Sequence, residues 1–382
     1  MSTSPAENPG CGCASCVVRF EACDLRTGIV RAVLFPISAA WQNTLNQPGQ
    51  GNVVLPTDST LVRNIWPHLT SIYVTVGGVP VWAGMVEEFL AESSENGGTT
   101  TVQMKEITYY LARRHHEETL TFNGVSQNVI GASLVNNAQT NGIPLAGVAA
   151  PSLFSRDRTY EAWEHGELME RIQQLTEVVN GPDYEVVHIR DADRWRTQMI
   201  FRDEVGEQLD LTVTSDHNAS DYSLSVSADT HATHVHGIGA GEEQDQLEVV
   251  REDPANIYPR FDAAPAWKDV TNLNTLAENT GGYLEMNREP VAVPAATIPG
   301  CHEIGPDDVL VGDTINANVS QGAVTFRGRV RIADISWRYT NNAEMTRELG
   351  MVTVGRASDT VLNQDPADSC PGGCGPNEGE SL

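Results

Sequence analysis

The 382-residue chain is nearly without lysine: Lys105 and Lys268 are the only two among its 24 basic residues, which face 51 acidic ones. The resulting formal charge of −27 argues against a protein that coats nucleic acid through its phosphates. An acidic surface still lets a polyanion pass close by without sticking. Long apolar runs are missing as well. The best one, GIVRAVLFPISAAW at 28–41, carries Arg31 and Pro36, so nothing approaches the roughly 20 uninterrupted apolar residues of a membrane helix. No membrane-spanning segment is expected. The opening MSTSPAENPG has neither a basic start nor an apolar core, so no secretory signal is read and synthesis in a host cytoplasm is expected. Enzymatic signatures are absent too: there is no G-x-x-x-x-G-K-[ST] cradle for a triphosphate, no H-E-x-x-H zinc helix and no G-x-S-x-G nucleophile elbow. GIGAGEE at 237–243 imitates a dinucleotide fingerprint, but Glu242 stands at the third glycine's place and no long helix follows. It reads as a turn between strands, and the chain as non-enzymatic.

What the chain does have is turn formers. Its 33 Gly and 20 Pro favour short strands over long helices, and its length calls for two or three domains. From Val17 onward, short alternating runs such as VVRFEACDL, GIVRAVLF and GNVVLP read as antiparallel strands. SIYVTVGGVPVWAGMVEEFLAESSENGGTTTVQMKEI, with turns at Gly77-Gly78 and Asn96-Gly97-Gly98, predicts a three-stranded meander. Residues 106–183 change character. SQNVIGASLVNNAQTNG and GELMERIQQLTEVVNG have helical spacing, with Leu168, Ile172, Leu175 and Val179 as one stripe and Asn-Gly stops. DYEVVHIRDADRWRTQMIFR then reads as a hairpin turning at Asp191–Arg194. Strands resume after residue 205, interrupted by a short helix near 269–280 closed by Gly281-Gly282. The division is an N-terminal arm (1–16), a β-rich region (17–115), an α+β insert (116–204), a second β-rich region (205–356) and a C-terminal arm (357–382).

Three residue groups could carry chemistry. Cys11, Cys13 and Cys16 lie in one arm and Cys370 and Cys374 in the other. Thiolates suit zinc or an iron–sulfur cluster, and the five sulfurs supply enough ligands if the arms meet. Disulfides formed outside the cell and reduced thiols are the alternatives, because C-x-C-x-x-C with C-x-x-x-C matches no single standard motif. Cys23 reads as a core residue, and Cys301 falls in a Pro/Gly loop. His231, His234 and His236 form a tempting metal set. The two-residue period of a strand nevertheless puts His231 on the face opposite the other two, so ordinary strand histidines are the reading. FRGRVRIADISW places Arg327, Arg329 and Arg331 on one face and Val330 and Ile332 on the other. That face is either solvated or a charged subunit interface.

The segment WQNTLNQPGQGNVVLPTDSTLVRNIWPHLTSIYVTVGGVPVWAGMVEEF resembles the minor tail proteins of siphophages that infect actinobacteria, within the tail-hub family. YYLARR, GELMERIQQLTEVVNGPDYEV, DVTNLNTLAENTGGYL, GDTINANV and RVRIADISWRY follow in the family's order, so the likeness spans about residues 17–356. It implies a mainly β protein with two hub-type antiparallel β-barrels per subunit and an α+β insert. It further implies a homotrimeric tail-tip hub in the virion, without catalytic residues. Its implied partners are a distal tail protein, a tape measure protein and tip fibres or spikes, with genomic DNA passing through the lumen unbound. Some family members hold an iron–sulfur cluster through cysteines.

Overall fold

The computed structural model describes residues 17–363, apart from 58–59, 95–96, 216, 243–244, 254–257, 269, 289–290, 301–303, 322–323, 342–344 and 355–360. The chain opens with β1 (Val18–Asp24), β2 (Val30–Leu34), β3 (Ser38–Thr44), β4 (Gln50–Pro56), β5 (Thr70–Val76), β6 (Val79–Ser94) and β7 (Gly97–Glu106). Gly77 and Gly78 take φ of 60° and 90° between β5 and β6. That left-handed pair matches the strand twist in a two-residue hairpin and suits glycine. The expected meander β5-β6-β7 is present.

An α+β insert follows: β8 (Leu120–Ser126), α1 (Gln127–Asn137), β9 (Leu145–Ala149), β10 (Ser155–Tyr160), α2 (Leu168–Thr176), β11 (Asp183–Asp191) and β12 (Arg194–Arg202). β11 and β12 form the expected hairpin, closing at Asp191↔Arg194, and β9 adds in parallel beside β12. Leu168, Ile172 and Leu175 of the predicted helical stripe are buried. Val179 lies beyond the end of α2 and is exposed, in a turn where Asn180 takes φ 53°. The insert sits on the outer face of the first strands, where Cys23, Tyr73, Ala83 and Met85 share a core with Ile172, Trp195 and Phe201. Tyr73 stacks on Trp195 at 4.8 Å. The Trp195 indole donates to buried Glu21 at 2.7 Å.

The chain then returns through β13 (Gln208–Thr214) and β14 (Asp221–Ser227), and detours through β15 (His234–Ile238), β16 (Glu248–Glu252), β17 (Asp262–Ala263) and α3 (Leu273–Asn287). It finishes with β18 (Val291–Pro299), β19 (Thr314–Gln321), β20 (Val324–Thr340), β21 (Met345–Thr353) and β22 (Val361–Asn363). β14 and β18 pair antiparallel, so residues 228–290 form a second insertion that the sequence pattern does not separate from the surrounding strands. Asn272 caps α3, its side-chain oxygen accepting from Asn274 N at 2.8 Å and Thr275 N at 3.3 Å. The helix runs through Gly281-Gly282, where a stop was expected. A Cβ on Gly282 would stand 2.6 Å from the Glu177 carbonyl oxygen, so glycine there lets α3 press against the first insert. β22 pairs with β20, so the segment assigned to the C-terminal arm contains a sheet strand.

Both β-rich regions belong to one 14-stranded sheet, ordered β14-β18-β21-β20-β3-β4-β7-β6-β5-β1-β2 with β13, β19 and β22 branching from it. The 17-residue β20 is the join. One of its edges pairs with β19 through residues 324–331 and with β3 through residues 334–340. At this seam Trp337 opposes Trp41; the indoles stack at 5.7 Å, and Phe20 meets Trp41 edge-on at 6.0 Å. One apolar cluster therefore runs from Phe20 and Val74 through Trp41 and Trp337 to Ile332 and Met351.

Candidate functional site

The arginine face of β20 starts from strand alternation. Phe326, Val330 and Ile332 are buried, while Arg327 and Arg329 are exposed and Arg331 is half-buried. Arg327 faces Asn318 of β19 across the sheet and donates to its side chain at 3.2 Å; Arg329 faces Asn316. On the other side, Val352 of β21 lies opposite Arg331, and Val354 donates its N–H to the Arg329 carbonyl at 3.0 Å. Val352 and Val354 are 36% and 45% exposed. In a chain so acidic, two solvent-facing guanidinium groups beside exposed valines form a composite basic and apolar surface, the mixture that protein interfaces favour.

Arg331 behaves differently. Its guanidinium forms an ion pair with Asp183 at the start of β11 and donates to the carbonyls of Val205 (2.9 Å) and Gly312 (3.1 Å). Asp183 also accepts from the Asn46 side chain at 2.6 Å and the Val205 N–H at 3.1 Å. Arg331 thus ties the first strands, the insert and the second strands within one chain, where the sequence pattern alone grouped it with its two neighbours.

Beside this knot is a cavity of about 820 Å³ whose walls include Glu106, Tyr184, His188, Asp307, Asp308 and Trp337. Glu106 accepts the Gly49 N–H at 2.7 Å, and burial pushes its carboxyl up to about 7. Burial pushes His188 down to about 3. It is therefore a neutral ring at ordinary pH, with Nδ1 3.0 Å from the Thr197 hydroxyl. The buried Tyr184 hydroxyl has no hydrogen-bond partner among the described residues. Nearby, Arg347 is fully buried over the Trp337 ring at 5.3 Å and donates to the Ile304 carbonyl at 2.8 Å. Burial lowers its guanidinium to about 10, against the pull of Asp308 and Asp307.

His231 lies before β15 begins and not on the opposite face of the same strand, whereas His234 and His236 share one strand. His231 packs against Tyr258 at 4.7 Å and Phe261 at 5.0 Å. His234 and His236 lie side by side at 4.7 Å. Two carboxylates that sequence spacing does not point to, Asp262 and Glu248, reach them from β17 and β16. Cys23 is buried as expected, and burial, helped by Glu21, pushes its thiol up to about 12, which makes it inert. Cys11, Cys13, Cys16, Cys301, Cys370 and Cys374 lie outside the described residues.

The fold as a whole is similar to those of phage tail proteins. The tail protein from Neisseria meningitidis superposes with a TM-score of 0.59 and 13% identity, over 88% of this chain and 97% of that one. The 43 kDa tail protein of prophage MuSo2 from Shewanella oneidensis gives 0.59 at 12% identity, over 88% and 98%. Prophage tail protein gp18 from Listeria monocytogenes gives 0.53 at 13% identity, over 87% and 94%. No family model matches the sequence, and no curated protein matches it. Among the described residues no helix is long and apolar enough to cross a membrane.

Proposed function

We propose that this chain is a non-enzymatic virion subunit that assembles as a homotrimeric hub at a phage tail tip. The observation that carries this reading is a fold shared with tail proteins along almost the whole chain, 88% of it for the Neisseria structure. In such a ring the two strand sets of each subunit act as the two hub barrels, so three chains offer six similar units to a hexameric tube and threefold symmetry to tip components. Arg327 and Arg329, with Val352 and Val354, form the surface that meets an acidic neighbouring copy. The rest of the −27 charge lines and surrounds a conduit through which DNA slides without arrest. A distal tail protein, a tape measure protein and tip fibres or spikes are the partners. The cysteines of the two arms join them through a metal, an iron–sulfur cluster or zinc, or through disulfides.

Sedimentation velocity and negative-stain images of the purified protein test the hub. Threefold rings with an open channel are the expected result. A stable monomer in the presence of neighbouring tail proteins overturns the reading, as does clearing of host cell walls by the pure protein.

A further inference from the structure

The two-residue period of β15 brings His234 and His236 to the same face of the three-stranded sheet β16-β15-β17. Pairing completes the group. His234 stands opposite Asp262 of β17, while Glu248 of β16, diagonal to His236, reaches its Nδ1 at 2.6 Å. One ligand atom each from His234, His236 and Asp262 lie within 4.8 Å of one another. Two imidazoles and a carboxylate are the donors that zinc and its first-row neighbours take. A carboxylate hydrogen-bonded to a ligating histidine is the usual device for fixing the ring.

Arg260 already places a cationic group against two of these side chains. Its Nη2 is 2.8 Å from Asp262 Oδ1 and 3.2 Å from His234 Nδ1, and these two atoms are 3.0 Å apart. Guanidinium only donates; His234 Nδ1 accepts from it in one ring tautomer and donates to Asp262 in the other. In the accepting tautomer, the Nδ1 lone pair and the carboxylate oxygen repel each other unless a cation sits with them. Arg260 supplies that cation from a side chain 62% exposed, long enough to swing into water when an ion takes its place.

We infer that this sheet face binds a divalent transition-metal ion of the zinc class, through His234, His236 and Asp262, with Glu248 orienting His236. The ion staples β17, which is two residues long, to β15, and so stiffens the second insertion. Metal binding here stands apart from trimer formation: a metal-free trimer and a metal-binding monomer each answer one question only.

Cobalt(II) is the probe, added to chelator-stripped full-length protein and followed by visible d–d absorption and equilibrium dialysis. Cobalt on the terminal cysteines announces itself separately through sulfur-to-metal charge-transfer bands. Wild type is expected to bind one ion per chain more than the His234→Ala/His236→Ala double variant, with the charge-transfer bands unchanged. Glu248→Gln should weaken that ion about 10–100-fold, as loss of an orienting carboxylate does. Arg260→Gln, which removes no ligand, should tighten it several-fold and guards against a double variant that fails to fold. Equal cobalt stoichiometry in wild type and a folded double variant overturns the site, as does an Arg260→Gln affinity no tighter than wild type.

Discussion

Replacing Arg331 with methionine removes a charge and five donors while keeping most of an apolar stem. In the folded chain that guanidinium serves Asp183 and two carbonyls, with the Arg331 side chain 26% exposed and that of Asp183 12% exposed. Breaking a fully buried pair by removing one partner costs about 3–5 kcal/mol, because the other charge stays behind. Two features reduce the figure here: Asp183 keeps its bonds from Asn46 and the Val205 N–H, and partial exposure admits water. A loss of about 2–3 kcal/mol is expected. Arg331→Met with Asp183→Asn should cost about 1–2 kcal/mol less than the sum of the single changes, since the two groups are in contact. The charge-reversed pair Arg327→Glu/Arg329→Glu touches exposed groups and should stay within about 0.5 kcal/mol of wild type while abolishing self-association. Urea denaturation followed by tryptophan fluorescence reads stability, and sedimentation velocity reads assembly. An Arg331→Met protein that unfolds at the wild-type urea concentration refutes the assignment of Arg331 to the chain's interior. Trimers that persist in the Arg327→Glu/Arg329→Glu protein refute the proposed interface.

Trp337→Ala should cost about 3–5 kcal/mol, since the indole is 3% exposed between Trp41 and Arg347; a loss below about 1 kcal/mol in the same denaturation assay would show that the seam is not packed as described. Gly282→Ala improves helix propensity by about 1 kcal/mol but sets a methyl 2.6 Å from a backbone oxygen, so a net loss of about 1–3 kcal/mol is expected by thermal unfolding, and a rise in midpoint contradicts the close approach. Glu106 has a folded-state pKa of about 7 against an ordinary 4.5, so between those values the unfolded chain releases the proton first. Its contribution is fully present below about pH 4.5 and declines as pH rises to about 7, by about 3 kcal/mol in total. Glu106→Gln should therefore gain stability relative to wild type over that window in denaturation curves taken at several pH values, and a difference constant with pH would be the contrary result.

Local chemistry made part of this molecule readable in advance. Gly77-Gly78 announces its hairpin because it demands a backbone that few residues adopt, the polar stretch Asp191–Arg194 interrupts two alternating runs, and the strict alternation from Phe326 to Ile332 sorts core from surface. Signals failed where tertiary contact decides. Gly281-Gly282 looks like a helix stop, but α3 continues through it, and the glycine at 282 answers to the nearby Glu177 carbonyl. Asp183, which separates Arg331 from Arg327 and Arg329, is 148 residues away in sequence. His234 and His236 carry a visible spacing, but Asp262 and Glu248 reach them through pairing between neighbouring strands, which spacing within β15 does not encode. Joining the two strand sets into one sheet depends likewise on β3 meeting β20.

That meeting sets a schedule for the chain's birth. Gln42 and Asp334, hydrogen-bonded at 3.2 Å across the β3–β20 seam, are 292 residues apart in sequence. At a synthesis rate of about 5–20 residues per second, the first strands wait on the order of 15–60 s on the ribosome before their partner emerges. During that wait β3 presents an open edge with bare N–H and C=O groups, the kind of edge on which chains join wrongly. Pairing so distant in sequence is also slow to find once synthesis ends, because loop closure precedes the contacts that reward it.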